Sequence, residues 1–142
     1  LLNVDRIPVV EFHKIGLMYI GPNQTTENEI LANDHGSEAY DAFLKTFGRL
    51  IKLKDCKSFY VGGLDTENNA DGEYALGWND KILQLVFHVT TLMPSQEDDE
   101  ERSEEEKLSF KKRHIGNNYV NIFFDESGQP FDFNVIKTQF NF

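Results

Sequence analysis

Lys111-Lys112-Arg113-His114-Ile115-Gly116-Asn117-Asn118-Tyr119-Val120 runs straight into Asn121-Ile122-Phe123-Phe124. The two pieces together predict a short helix followed by a strand. Gly116 favours the left-handed residue that closes a helix, and the apolar run from Tyr119 to Phe124 has the length and content of a strand. The three cations fall near the C-terminal, partly negative end of that helix, where positive charge is stabilising. His114 and Asn117 are three apart and point the same way, while Ile115 can face inward. An exposed imidazole, a carboxamide and a cationic cluster on one rigid piece make a contact surface for something anionic. By pattern alone the commoner outcome is blander: a well-capped helix with a solvated basic face and an Asn-rich turn.

Upstream of this helix lies the most polar part of the chain. Residues 97–106, Glu-Asp-Asp-Glu-Glu-Arg-Ser-Glu-Glu-Glu, hold eight acids and one Arg. With no apolar residue to bury, the stretch is expected to be a mobile loop or frayed helix, and the acidic loop as a whole spans residues 95–110. It also dominates the formal charge of −10; without it 16 acids face 13 bases, a net of −3. The remaining body is nearly balanced, so no nucleic-acid partner and no general affinity for an anionic membrane follow. No apolar run reaches transmembrane length, which predicts no direct membrane insertion.

The earlier chain alternates strand and helix signals. Val9 to Ile20 thickens into a nearly continuous apolar run, as a buried strand would, and Gly21-Pro22-Asn23 stops it. Thr26 with Glu29 forms a capping-box pattern opening a helix to about Asn33. Ser37 caps a second helix, in which Tyr40, Phe43, Leu44 and Phe47 make the apolar stripe and Gly48 ends it. Arg49 to Leu53 alternates as a strand. Gly62-Gly63 is a turn that permits positive φ, not a phosphate cradle, since no lysine-serine ending or following helix accompanies it. Asn68 to Gly72 is a loop before a strand at Glu73–Trp78. Ile82 to Thr91, rich in β-branched and aromatic residues and closed by Pro94, is expected to be a central strand. His88 inside it reads as a hydrogen-bonded core histidine. After a turn at Asp125–Pro130, Phe131 and Phe133 share one face of another extended piece. Six of the twelve phenylalanines lie after residue 122, marking this end as core rather than tail. Residues 1–8 read as a lead-in.

The order predicts a mixed α/β sheet with helices packed on it, one domain over residues 1–142. Cys56 is the single cysteine, so no intrachain disulfide forms, consistent with a reducing compartment. No serine or cysteine nucleophile stands beside a histidine in a recognisable motif. The four histidines and one cysteine show no metal-ligand spacing, so no metal site is expected.

Lys111-Lys112-Arg113-His114-Ile115-Gly116-Asn117 resembles the signature of the Rap-type GTPase-activating domains. Further matches follow in that family's order: His13-Lys14-Ile15-Gly16, His35-Gly36-Ser37, Gly62-Gly63-Leu64-Asp65 and Phe87-His88-Val89-Thr90-Thr91-Leu92-Met93-Pro94. Each motif is weak alone; the ordered set, covering nearly the whole chain, is strong. Leu50 to Cys56, Trp78 with Asp80, and Gln139-Phe140-Asn141-Phe142 resemble the family's Rheb-activating branch most. The resemblance implies a G-domain-like α/β catalytic domain that continues past residue 142.

It also implies an activator rather than a self-sufficient enzyme. The small GTPase partner, Rheb first and Ral or Rap as the alternative, brings its own GTP and Mg²⁺, so no cofactor is expected here. The family's asparagine thumb falls on Asn117, with His114 one turn earlier holding the GTPase or the thumb. Lys111, Lys112 and Arg113 either meet acidic surface on the GTPase or fix the helix. Asn118, at a GTPase-facing position where the family usually has Asp, carries no charge. A hamartin partner, bound through segments outside this chain, is implied as well, as are a role restraining TOR-pathway growth signalling and a cytoplasmic location with recruitment to endomembranes alongside the GTPase. The rival from another class is a binding module of the same fold that does not accelerate hydrolysis.

Overall fold

Two sets of side chains on one strand decide how the domain is layered. The structure, a computed structural model, describes residues 10–94 and 100–137. Strand β1 (Glu11–Ile20) is exposed at its start and buried at every position from Leu17 to Ile20. Side chains alternate across a sheet, so consecutive burial means that both faces are covered there. Met18 and Ile20 pack on one side with Ile30, Leu31, Leu108 and Ile115. Leu17 and Tyr19 pack on the other with Tyr40, Leu76 and Phe87. The strand therefore lies inside a sheet sandwiched between helices, as its unbroken apolar run predicts.

Around β1 the described residues form a sheet of five strands in the order β2-β3-β4-β1-β5, with β2 at Arg49–Lys52, β3 at Tyr74–Asn79, β4 at Leu83–Val89 and β5 at Asn121–Asp125. β1 pairs in parallel with β4 and with β5, while β3 is antiparallel to both β2 and β4. The expected mixed sheet is thus present, and β4 stands at its centre.

The helices begin where their caps predict. α1 (Glu27–Leu31) opens on a full capping box between Thr26 and Glu29. α2 (Glu38–Phe47) opens on Ser37, whose hydroxyl accepts the Tyr40 N–H. Its stripe of Tyr40, Phe43, Leu44 and Phe47 covers the Leu17–Tyr19 face. Gly48 ends α2 for a reason the sequence does not reveal. Its backbone is extended (φ 168°) rather than left-handed, and an added Cβ would lie 2.0 Å from the carbonyl oxygen of Gly77 on β3. Close approach of two backbones, not a helix-closing conformation, requires the glycine.

The described part of the acidic stretch contains a short helix. Ser103 caps α3 (Glu104–Lys107), and α4 (Ser109–Gly116) follows with Leu108 buried between them. Leu108 supplies the anchor that the acidic residues cannot; residues 95–99 lie outside the described part. Near the other end, residues 131–137 form turns and bends rather than an extended strand. Phe131 packs on Phe123, and Phe133 stacks edge-on against Phe131 while staying 83% exposed, so among the described phenylalanines of this end Phe133 is not core. The lead-in at 1–8 and the ending Gln139–Phe142 lie outside the described residues.

Candidate functional site

α4 is fastened from below. Ile115 is buried against the Met18–Ile30 face, as its position on the helix predicts. Lys111 corrects the reading of a basic contact surface: it is fully buried, and its ammonium donates a 2.8 Å hydrogen bond to the carbonyl of Leu31, the last residue of α1. A cation there satisfies an orphan carbonyl at a helix end. Lys112 pairs with Glu27 of α1 at 3.0 Å, and Glu27 also accepts the Lys137 N–H at 2.8 Å. Two of the three cations thus tie α4 to α1, and of the three only Arg113 is exposed. Helical spacing explains the split, because three successive residues cannot share one face.

The helix also ends differently from the expectation for Gly116. That residue is still helical and not left-handed; the turn is made by Asn117, at φ −91° and ψ 0°. This backbone region is open to any L residue, so the chain closes the helix without glycine's freedom. Asn117 is left exposed at the tip.

His114 is not the exposed imidazole that the pattern suggested. It is 8% exposed, with Nε2 3.1 Å from Asp71 Oδ1 and its ring edge-on to that of His88, centroids 5.3 Å apart. Asp71 is itself buried. Burial raises its carboxyl, but the adjacent His114 imidazole and the Asp65 N–H outweigh this and hold it below the usual carboxylate range. His88 is pushed down to about 4, first by burial and then by the neighbouring His114. A neutral His88 suits its partners: Val61 O lies 3.4 Å from Nε2, and Asn118 Nδ2 lies 3.4 Å from Nδ1. Donation from Asn118 to Nδ1 leaves the ring proton on Nε2, facing the carbonyl. Asn118, expected to meet a partner, is 1% exposed and braces His88 instead.

Arg113, His114 and Asn117 line one wall of a shallow cavity of about 240 Å³. Lys14, Gly62, Gly63 and His88 complete it. Gly62 (φ 63°) comes so close that an added Cβ would lie 2.9 Å from His88 Nε2, whereas Gly63 faces open space. The cavity is smaller than the 300–1,000 Å³ typical of small-molecule sites; it has room for a partner's side chain or waters, not a nucleotide. The two exposed polar groups at its mouth are a guanidinium and a carboxamide. Among the described residues no three His, Cys, Asp or Glu side chains gather as a metal site, and no helix is long and apolar enough to cross a membrane.

Residues 30–142 match the family model described as Rap/ran-GAP. The chain belongs to the Rap/Ran-GAP family. Among curated proteins, this Rap/Ran-GAP domain is 47% identical over 138 residues to the "Tuberous sclerosis 2 protein homolog" of Schizosaccharomyces pombe, covering 97% of this chain and 10% of that one. It is 35% identical over 140 residues to "Ral GTPase-activating protein subunit alpha-2" of Mus musculus, covering 99% of this chain and 7% of the relative. Among solved structures, "Structure of the TSC2 GAP domain" superposes with a TM-score of 0.84 at 45% identity, covering 92% of this chain and 65% of that one. The fold is therefore that of the TSC2 GAP domain, and the chain spans about a tenth of the length of the curated relatives it matches.

Of the residues the sequence singles out, the structure brings His114, Asn117 and Arg113 together at the cavity and sends Lys111, Lys112 and Asn118 to supporting positions. Reading by sequence missed Asp71, treated only as a loop residue, and did not connect Lys14, His88 and the glycine pair with the cavity. These residues sit within motifs that carry the family resemblance, or beside them, which was the available signal.

Proposed function

We propose that this Rap/Ran-GAP domain stimulates GTP hydrolysis by a small Ras-family GTPase, by presenting Asn117 in trans to the nucleotide of its partner. The observation that supports this most is the placement of Asn117: an exposed carboxamide on the tip of a helix whose other side is anchored by Ile115 and Lys111. A carboxamide offers a donor and an acceptor on one planar group. It can accept from the attacking water while donating toward the γ-phosphate, as the GTPase's own glutamine would. Being neutral, it contributes by orienting the water and excluding solvent rather than by cancelling charge. Arg113, exposed beside it, is suited to acidic surface on the partner, and Tyr119, two residues on, is 82% exposed. GTP and Mg²⁺ belong to the GTPase, so the domain is not an enzyme in its own right.

Rheb is the target we favour, because identity is higher to the tuberous sclerosis 2 homolog than to the Ral activator subunit. Leu50–Cys56 and Gln139–Phe142 resemble tuberin, the Rheb activator, as well. Ral or Rap is the alternative. On this reading a hamartin partner would bind elsewhere in the longer protein, and the domain would restrain TOR-pathway growth signalling from the cytoplasm, recruited to endomembranes with its GTPase.

The test is single-turnover GTP hydrolysis by Rheb, Ral and Rap in parallel, with the domain and its Asn117→Ala variant in a polypeptide extended past Phe142. Stimulation of Rheb that falls roughly 100-fold in Asn117→Ala, about 2.7 kcal/mol of transition-state stabilisation, is expected. A folded domain that binds GTP-loaded Rheb and leaves hydrolysis unchanged would make it a binding module instead. Stimulation of Ral or Rap alone would overturn the choice of target.

A further inference from the structure

Opposite α4, the segment from Asp65 to Gly72 is built with unusual tightness for a surface loop. The Asp65 carboxylate accepts three backbone N–H groups, from Glu67, Asn68 and Ala70, at 3.1, 3.0 and 2.8 Å. Asn69 (φ 58°) and Gly72 (φ 103°) take left-handed backbone, and an added Cβ on Gly72 would lie 2.3 Å from the carbonyl of Leu92. What this frame delivers is one buried carboxylate, Asp71, with Oδ2 accepting the Asp65 N–H at 2.8 Å and Oδ1 at 3.1 Å from His114 Nε2.

We propose that Asp71 is a positioning residue for the thumb: its carboxylate holds His114 with Nε2 protonated, and the held imidazole steadies the last turn of α4 from which Asn117 projects. The proposal rests on the reading of Asn117 given above. Nε2 lies 3.1 Å from Oδ1 without a completed hydrogen bond to it or to any other group; a carboxylate can only accept, so the bond that a small ring rotation would complete requires the proton on Nε2. That choice of tautomer and ring orientation is what a carboxylate partner characteristically supplies to a working histidine. His88, edge-on to the ring from β4, limits its tilt, and His88 is braced in turn by Val61 and Asn118. The imidazole lies between Asp71 of the loop and His88 of the sheet, and it shares the cavity wall with Asn117. Asp71 is charged where it sits, since its carboxyl is held below the usual range despite burial.

The Asp71→Asn variant separates this from a loop-building role. Its amide oxygen can still accept the Asp65 N–H, but its NH₂ then faces His114 and forces Nε2 to become the acceptor. In single-turnover assays with Rheb, the stimulated rate at saturating domain should fall roughly 10- to 100-fold, taking the loss seen when the partner orienting a metal-bound imidazole is removed as the scale. The half-saturating concentration should stay within about twofold, because docking is untouched. In a His114→Ala background the same substitution should cost nothing more. Long-range ¹H–¹⁵N spectra of the domain alone should show His114 protonated on Nε2 in the wild type and shifted to Nδ1 in Asp71→Asn. An equal loss with and without His114, or a change confined to half-saturation, would overturn the proposal, as would a wild-type His114 with no proton on Nε2. Should Asn117→Ala retain full stimulation while the His114 tautomer still follows residue 71, the thumb fails and Asp71 loses any part in the reaction. The spectra would then show that the Asp71–His114 link was not what failed.

Discussion

Lys111→Met should destabilise the domain and leave its contact surface intact, because Lys111 joins two helices rather than facing a partner. Methionine keeps most of the volume of the lysine stem, so no large cavity opens. What disappears is the 2.8 Å hydrogen bond from the ammonium to the Leu31 carbonyl. A hydrogen bond from a charged donor contributes about 1.5–3 kcal/mol, and a buried carbonyl left without a partner costs about 1–3 kcal/mol. Relief from burying an ammonium offsets part of this loss. The net expectation is about 2 kcal/mol, equivalent to a fall in melting temperature of roughly 4–8 °C for a domain of this size. Urea denaturation should show a lower midpoint at unchanged slope, and stimulation measured well below the melting temperature should stay within about threefold of wild type. Arg113→Ala should do the reverse, with stability unchanged within about 0.5 kcal/mol and stimulation reduced. A Lys111→Met protein of wild-type stability that had lost stimulation would refute the reasoning and return Lys111 to the contact surface.

Two further outcomes follow from the core. His88 sits at about 4 in the folded state against 6.5 when unfolded, so the unfolded chain takes up this proton first as the pH falls. Its contribution is complete above pH 6.5 and declines toward pH 4, by about 3 kcal/mol in all. Urea midpoints at pH 7, 5.5 and 4.5 should fall more steeply for wild type than for His88→Gln, and parallel slopes would contradict the assignment. Gly48→Ala forces a methyl to within 2.0 Å of the Gly77 carbonyl oxygen. It should cost at least about 2 kcal/mol by thermal denaturation, well beyond the ordinary gain from replacing glycine. A neutral result would mean that α2 and β3 can separate locally.

The strands and caps were legible because they depend on local chemistry. The run at Leu17–Ile20, the box at Thr26 and Glu29, and the Ser37 cap all carry their structural reason within a few residues. Two glycines were placed correctly for the wrong reason: Gly48 answers a backbone 29 positions away on β3, and Gly116 needs no special conformation at all. The basic cluster could not be divided from sequence between contact and helix-fixing roles for a related cause. Three adjacent cations look alike in a sequence, yet helical geometry sends Lys111 to Leu31, Lys112 to Glu27 and Arg113 to solvent. Likewise no local pattern joins Asp71 to His114, because their meeting depends on how the 65–72 loop lies against α4.

The parallel pairing of β1 has a consequence for how the domain comes into being. β1 must wait for Leu83 to be available opposite Glu11, and for Asn121 opposite Gly16, before either ladder can close. Contacts that close such long loops make folding slow relative to local hairpins and helices. During synthesis β1 therefore emerges with both edges unsatisfied, and stays so until most of the domain has left the ribosome. α4 follows β1 and β4 in the chain, so the cavity and Asn117 are assembled only after those strands are made. A nascent chain halted before β5 would leave the backbone N–H and C=O groups along one edge of β1 unpaired.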